Sequence, residues 1–289
     1  MLARLAKVPA VAAIALFTPL IVAVPYDPAP PPPPLAGIAH AAIRVADLNA
    51  SRAFYKKLGF EEAFAFDKDG VTTQSFIKIN DRQFIELYPR VQPSDPVGFL
   101  HVCFETADIV TLNTFYSGRG LTPSEVHKAG AGNLLFTMEG PEHQNIEYTE
   151  YMPGSRHSND FGQHLGADRI STALVAAALD MSSPPAARDF YVDKLAFSPG
   201  KHLEPDSKSN PAFWLKLPGI SAQSIAFIPH TADSAFRMFF GVDDLKQTAT
   251  RLQTLNIPST KSGKEISIHD PDGNTLVFVV PAVVLQPFQ

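Results

Sequence analysis

The run IAHAAIRV at residues 38–45 alternates in the manner of a strand, and Asp47 behind it is placed to cap a helix, LNASRAFYKKL, that stops at Gly59. Leu48, Phe54, Tyr55 and Leu58 fall at helical spacing and predict one buried face. Three strand-like pieces follow, EEAFAFD, TTQSFIKIN and RQFIELYP, divided by the turn formers Asp69-Gly70 and Asn80-Asp81. The unit is therefore one strand, one helix and three strands.

The unit recurs. FLHVCFETAD opens a second copy, with a helix over IVTLNTFYSGRGL and strands near SEVHKA, NLLFTME and QNIEYTEY. After the polar stretch MPGSRHSNDFGQHLGAD a third copy begins at RISTALVAAALD, and its helix AARDFYVDKLAF echoes SRAFYKKLGF. A fourth begins at AFRMFFGVDDL and ends at DPDGNTLVFVV. Four copies in two pairs predict an α+β fold of four βαβββ modules, because one curved sheet cannot cover its own apolar face and must pair into a cup. The expected domains are 37–151 and 168–282, joined by a linker at 152–167 whose histidines, His157 and His164, together with His143, are expected to be solvated.

Composition adds an N-terminal expectation and removes some partners. MLARLAK is basic, and VPAVAAIALFTPLIVAV after it is uncharged and apolar, so residues 1–24 read as a signal peptide or N-terminal anchor. Export is expected, either as a cleaved protein or tethered to a membrane through residues 8–24. PYDPAPPPPPLA, residues 25–36, predicts an extended polyproline linker. A formal charge of -5 with no basic cluster argues against nucleic acid. The single cysteine, Cys103, excludes an intrachain disulfide and is expected to be a packing residue.

The repeated module, with V-x-D-L followed by FY-x-x-LGF at its start, resembles the vicinal oxygen chelate superfamily of glyoxalases, bleomycin resistance proteins and extradiol dioxygenases. The resemblance covers about residues 37 to 282. It implies that a metal, where one is bound, is held in the cup by the first and last strand of each paired module. Those positions hold His40 and Glu86 in the first module and His101 and Glu147 in the second. One strand histidine alone would more often be a core residue. Four residues of ligand type at four equivalent positions are hard to assign to packing.

The second pair of modules serves as a control. Laying STALVAAAL on HAAIRVADL puts Ser171 at the His40 position, and the same exercise puts Ala226 opposite Glu86, Arg237 opposite His101 and Val277 opposite Glu147. The second domain is thus expected to be a degenerate copy without ligands, and the four in the first are there for function.

Two imidazoles and two carboxylates suit one divalent Zn, Ni, Fe, Mn or Co ion, with calcium disfavoured. The resemblance to bacterial glyoxalase I implies that the metal polarises a substrate oxygen while a ligand glutamate, Glu147 or else Glu86, moves the proton on the adjacent carbon. Arg44 stands where glyoxalase I carries an arginine that contacts glutathione, its alternative being a pair with Asp47 or solvent. Tyr88, on the Glu86 face, is a second candidate for substrate contact. The expectation is a lyase or isomerase acting on a small oxygen-chelating molecule. Its rivals are an extradiol-type ring-cleaving dioxygenase and a non-catalytic small-molecule binding protein. A homodimer is expected if modules pair between chains.

Overall fold

In the computed structural model, residues 31–201, 203, 212–219, 222–231 and 235–281 are described. Residues 1–24, expected to be a signal or anchor, and residues 25–30 of the expected polyproline linker lie outside them. Among the described residues no helix is long and apolar enough to cross a membrane.

The first module comprises β1 (Leu35–Val45), α1 (Leu48–Lys57), β2 (Glu61–Lys68), β3 (Val71–Asn80) and β4 (Gln83–Pro89). The second comprises β5 (Gly98–Thr106), α2 (Ile109–Gly118), β6 (His127–Lys128), β7 (Leu134–Glu139) and β8 (Asn145–Glu150). A single helical turn, α3 (Arg156–Asn159), lies between the domains. The third module runs β9 (Ala173–Met181), α4 (Pro184–Asp193), β10 (Ser198–Pro199), β11 (Phe213–Lys216) and β12 (Ser224–Pro229). The fourth runs β13 (Arg237–Gly241), α5 (Leu245–Thr254), β14 (Thr260–Ser262), β15 (Glu265–His269) and β16 (Thr275–Val279).

The helices start where an aspartate can cap them. Asp47 accepts from the amides of Asn49 and Ala50, Asp108 from Thr111, and Asp244 from Lys246 and Gln247. Ser155 caps the single turn α3, accepting from the Ser158 amide, and α4 opens on Pro184 and Pro185 with no side-chain cap. Gly59 follows α1 at φ +88°, and a Cβ there would meet the Asp168 carbonyl at 2.4 Å, so it ends the helix and lets the backbone before the second domain approach.

Each pair of modules closes into one eight-stranded sheet. The orders are β2-β3-β4-β1-β5-β8-β7-β6 and β10-β11-β12-β9-β13-β16-β15-β14. In both, the first strands of the two modules pair antiparallel at the centre, and each is flanked by the parallel last strand of its own module. One face of each sheet joins the helices in an apolar core that runs through both domains. The opposite faces form the cups.

The domains are tied by an exchange of glutamines at equivalent positions. Gln83, opening β4, donates to the carbonyls of Ile38 and Leu174 and accepts from the Leu174 amide, while Gln223 accepts from the Ile38 amide. Both are buried, so their amide groups complete backbone hydrogen bonding at the starts of β1 and β9.

Residues 152–166 do more than connect. Arg156 donates from its amide to Ala131 and from its guanidinium to the Ala65 carbonyl, spanning from β2 to the turn between β6 and β7. The Lys78 ammonium, 1% exposed, is 2.6 Å from both the carbonyl and a carboxylate oxygen of Asp160, 2.7 Å from the Gln163 carbonyl and 2.8 Å from Asp81. Asp81 in turn accepts from the Gly162 amide. The segment is thereby strapped across the first cup, and His157 in it is 4% exposed, contrary to the solvated position expected from its polar surroundings. His143 and His164 do remain exposed or half-exposed.

Candidate metal centre

The four central strands of the first sheet, β4-β1-β5-β8, each supply one of the expected ligands. Their register aligns them: Ala42 of β1 lies opposite both Glu86 and His101, and Cys103 of β5 lies opposite both His40 and Glu147. Strand alternation then turns all four side chains into the cup.

His40 Nε2 lies 3.1 Å from His101 Nε2 and 3.3 Å from Glu147 Oε1, and His101 Nε2 lies 3.9 Å from Glu147 Oε2. Glu86 stands on the other edge of the His40 ring, with Oε1 3.3 Å from Nδ1. Its Oε2 accepts from the Tyr88 hydroxyl at 2.9 Å and from Gln74 Nε2 at 2.9 Å. His40 and Glu86 are 4% exposed and His101 9%, so water contributes little to their charges.

Burial works against a charged His40, but the facing Glu86 and Glu147 carboxylates outweigh it and hold the imidazole above its ordinary range. Burial dominates at His101 and pushes it down to about 4, leaving a neutral ring. Burial also raises Glu86, against the pull of His40, whereas at Glu147 the hydrogen bond and charge of His40 overcome burial and bring the carboxyl to about 2.

These residues fit a bound cation. Nitrogen and oxygen donors about 2.0–2.2 Å from one ion lie roughly 3 to 4 Å from each other, the range seen among His40, His101 and Glu147. The buried His40 Nδ1 lacks an aligned hydrogen-bond partner despite its approach to Glu86. Glu86 Oε1 and Cys103 Sγ are each within 4.8 Å of ligand atoms of this group. Cys103 is fully buried and burial pushes its thiol well up, which keeps it a packing neighbour rather than a thiolate.

Strand pairing in the second cup corrects one correspondence. Ala178 lies opposite both Ala226 and Arg237 as Ala42 lies opposite Glu86 and His101, so the His40 counterpart is Ala176, not Ser171. The five-residue slip arises because ALVAAALD offers no landmark in a run of small apolar residues. Ser171 lies before β9 and bonds the Gly241 carbonyl. Val277 lies opposite Phe239, as Glu147 does opposite Cys103. Where the first cup has His40, Glu86 and Glu147, the second has Ala176, Ala226 and Val277, packed with Trp214 and Phe239.

A cavity of about 400 Å³ opens beside His40, Glu86 and Glu147. Tyr88 lines it and donates its hydroxyl to Glu86. Arg44 is not among the lining residues and donates instead to the Pro96 carbonyl at 3.2 Å. Lining residues that were not foreseen include Gln74, His127, Tyr151 and His157. Gln74 lies two residues from Phe76, the partner of Glu86 across β3 and β4, so its face was legible once the pairing was known. Nothing local marks His157.

Residues 37–148 match the family model of the Glyoxalase/Bleomycin resistance protein/Dioxygenase superfamily. The first domain belongs to this superfamily. The chain is similar in structure to the 2,3-dioxygenase LapB from Pseudomonas, with 18% identity, a TM-score of 0.65, and coverage of 89% of this chain and 97% of that one. It is also similar to an extradiol ring-cleaving dioxygenase from B. fuscum, at 16% identity and TM-score 0.64, covering 90% and 76% of the two chains. A Mn(II)-bound glyoxalase from Novosphingobium aromaticivorans matches at 15% identity and TM-score 0.64, covering 86% and 83%. These likenesses establish that both cups share the superfamily fold. No curated protein matches the chain in sequence.

Proposed function

We propose that the protein is a divalent-metal enzyme that moves a proton next to an oxygen of a small chelating substrate, with His40, His101, Glu147 and Glu86 as its working residues. The observation that carries this reading is the pair of carboxylates held in different ways around two imidazoles. Glu147 lies between His40 and His101 and suits a ligand. Glu86 is fixed through one oxygen by Tyr88 and Gln74, which leaves Oε1 to face the site as a base. A bound divalent ion would act as Lewis acid on the substrate oxygen and make the neighbouring C–H more acidic. Glu86 then accepts that proton and returns it to the adjacent carbon, and Tyr88 and Gln74 keep its carboxylate oriented throughout.

Ring-cleaving oxygenation is the second reading, favoured by one specific feature. With Glu86 on the Nδ1 edge of His40, the remaining set is two histidines and one carboxylate, the ligand type of non-haem iron oxygenases. The two readings part on oxygen. Protein loaded with one equivalent of each candidate metal is expected to turn over hydroxycarbonyl substrates equally well under air and argon. Oxygen uptake in step with product from catechols would replace the proton-transfer reading with the second. From the basic start and apolar run of residues 1–24 we place the enzyme outside the cytoplasm.

Glu86→Gln separates ligand from base. If Glu86 is the base, the variant should retain metal while losing about 10²–10⁴-fold in turnover, the usual contribution of a general base. Metal analysis alongside initial rates checks this, and loss of the metal would make Glu86 an indispensable ligand.

A further inference from the structure

The two halves of the first cup carry different side chains at matching rim positions. In the second module Thr149 of β8 lies opposite Leu135 of β7, and Leu135 lies opposite His127 of β6. Directly opposed residues share a face of a sheet, and Thr149 follows Glu147 by two residues, so the row Thr149–Leu135–His127 looks into the cup. In the first module the matching row is Tyr88, which follows Glu86 by two residues, then Gln74, which donates to the Tyr88 hydroxyl, and Phe66, the partner of Gln74 on β2. Phe66 and His127 therefore stand at equivalent places on the two edge strands of the sheet. All of these residues line the cavity beside His40, Glu86 and Glu147.

The curved sheet brings its edges together across the mouth. A Cβ on Gly130, in the turn after β6, would lie 3.8 Å from the Phe66 ring, and the Arg156 guanidinium sits 4.5 Å from the centroid of that ring. Phe66 is thus a fixed apolar side of the mouth. His127 supplies a polar one. Its Nδ1 lies 3.0 Å from the Glu125 carbonyl oxygen, and a carbonyl can only accept, so Nδ1 carries the proton. Nε2 has no partner among the described residues, and the side chain is exposed, so this nitrogen is open to water and to a molecule in the mouth of the cavity. With strands about 4.8 Å apart and about 3.4 Å per residue, His127 is roughly 12 Å of sheet from Glu147, and the two side chains reduce the gap to roughly 6–8 Å, the length of one substituted ring.

We propose that His127 is a substrate-binding residue, its Nε2 holding a hydroxyl at the far end of a ring-bearing substrate whose near end is chelated beside His40 and Glu147. The ring of that molecule fills the space along Phe66 and Leu135. A hydroxyl suits the imidazole in either protonation state, since it both donates and accepts. Only the chelated end rests on the functional reading above.

The probes are 4-(hydroxymethyl)benzohydroxamic acid and 4-ethylbenzohydroxamic acid, which chelate through the same two oxygens and differ only in the distal hydroxyl. On zinc-loaded protein, the ratio of their dissociation constants should shift by about fivefold against the hydroxymethyl probe in His127→Phe, with metal content unchanged. His127→Gln, whose amide also donates and accepts, should recover part of the shift. In metal-free protein labelled with ¹⁵N-histidine, neutral His127 should be the Nδ1–H tautomer. Its Nε2 signal should move when the hydroxymethyl probe is added to millimolar concentration and stay in place with the ethyl one. A ratio unchanged within about twofold, an Nε2–H tautomer, an unmoved signal, or equal movement with both probes would each overturn the proposal. So would tighter binding of 4-carboxybenzohydroxamic acid that is lost in His127→Phe, which would make this rim an anion site. Failure of both hydroxamates to bind zinc-loaded protein counts against the chelated end, and the His127 signal in metal-free protein then decides the far end by itself.

Discussion

His101→Gln is expected to remove bound metal and, with it, about 10³-fold or more of the activity, since a metal acting as Lewis acid supplies several kcal/mol and each 1.4 kcal/mol is tenfold. The metal-free variant should unfold close to the metal-free parent. His101 is neutral, so its loss strands no charge, and the His40 contacts to Glu86 and Glu147 remain. The second domain builds the same strand with Arg237 at this position, so the fold does not depend on histidine there. Metal should therefore stabilise the parent and leave the variant unaffected, because an ion that binds only the folded state raises its stability by mass action. Thermal unfolding of both proteins with and without added metal, next to metal analysis, checks this. Equal metal stabilisation of the two would place the ion elsewhere.

The second large effect is expected at Lys78, far from any ligand role. Lys78→Met should cost about 3–5 kcal/mol, because removing the amine leaves the buried Asp160 carboxylate without its counter-charge and releases two carbonyls. The midpoint of denaturant unfolding measures it. Adding Asp160→Leu should recover part of the loss, since removing both partners costs less than removing one, and the coupling between them should amount to about 1–3 kcal/mol. Metal content should persist in Lys78→Met. A stability change below about 1 kcal/mol would show that the strap is held by its other contacts alone.

Much of this architecture was legible in the residues themselves. Local rules sufficed for the aspartate cap before α1, the stop at Gly59, and the strands over IAHAAIRV and QFIELYP. Repetition then carried those local readings to the whole fold, and the resemblance to the superfamily pointed to His40, Glu86, His101 and Glu147 at equivalent positions of the first two modules. The same method failed at Ser171. In a run of alanines and leucine the register is set by cross-strand pairing, which a linear alignment does not contain, and an odd slip also exchanges the two faces.

What the chain determined by itself is the module and its fourfold recurrence, because these follow from periodicity and turn chemistry; the four candidate ligands were read through the resemblance to the superfamily. The tertiary structure alone decided which nitrogen of His40 faces which carboxylate, that Tyr88 and Gln74 hold Glu86, and that Arg44 turns away to Pro96. It alone folded residues 152–166 back over the first cup and buried His157 there. Those outcomes rest on contacts between residues far apart in sequence, 82 positions for Lys78 with Asp160 and 91 for Arg156 with Ala65, and on packing that a polar stretch of sequence does not announce.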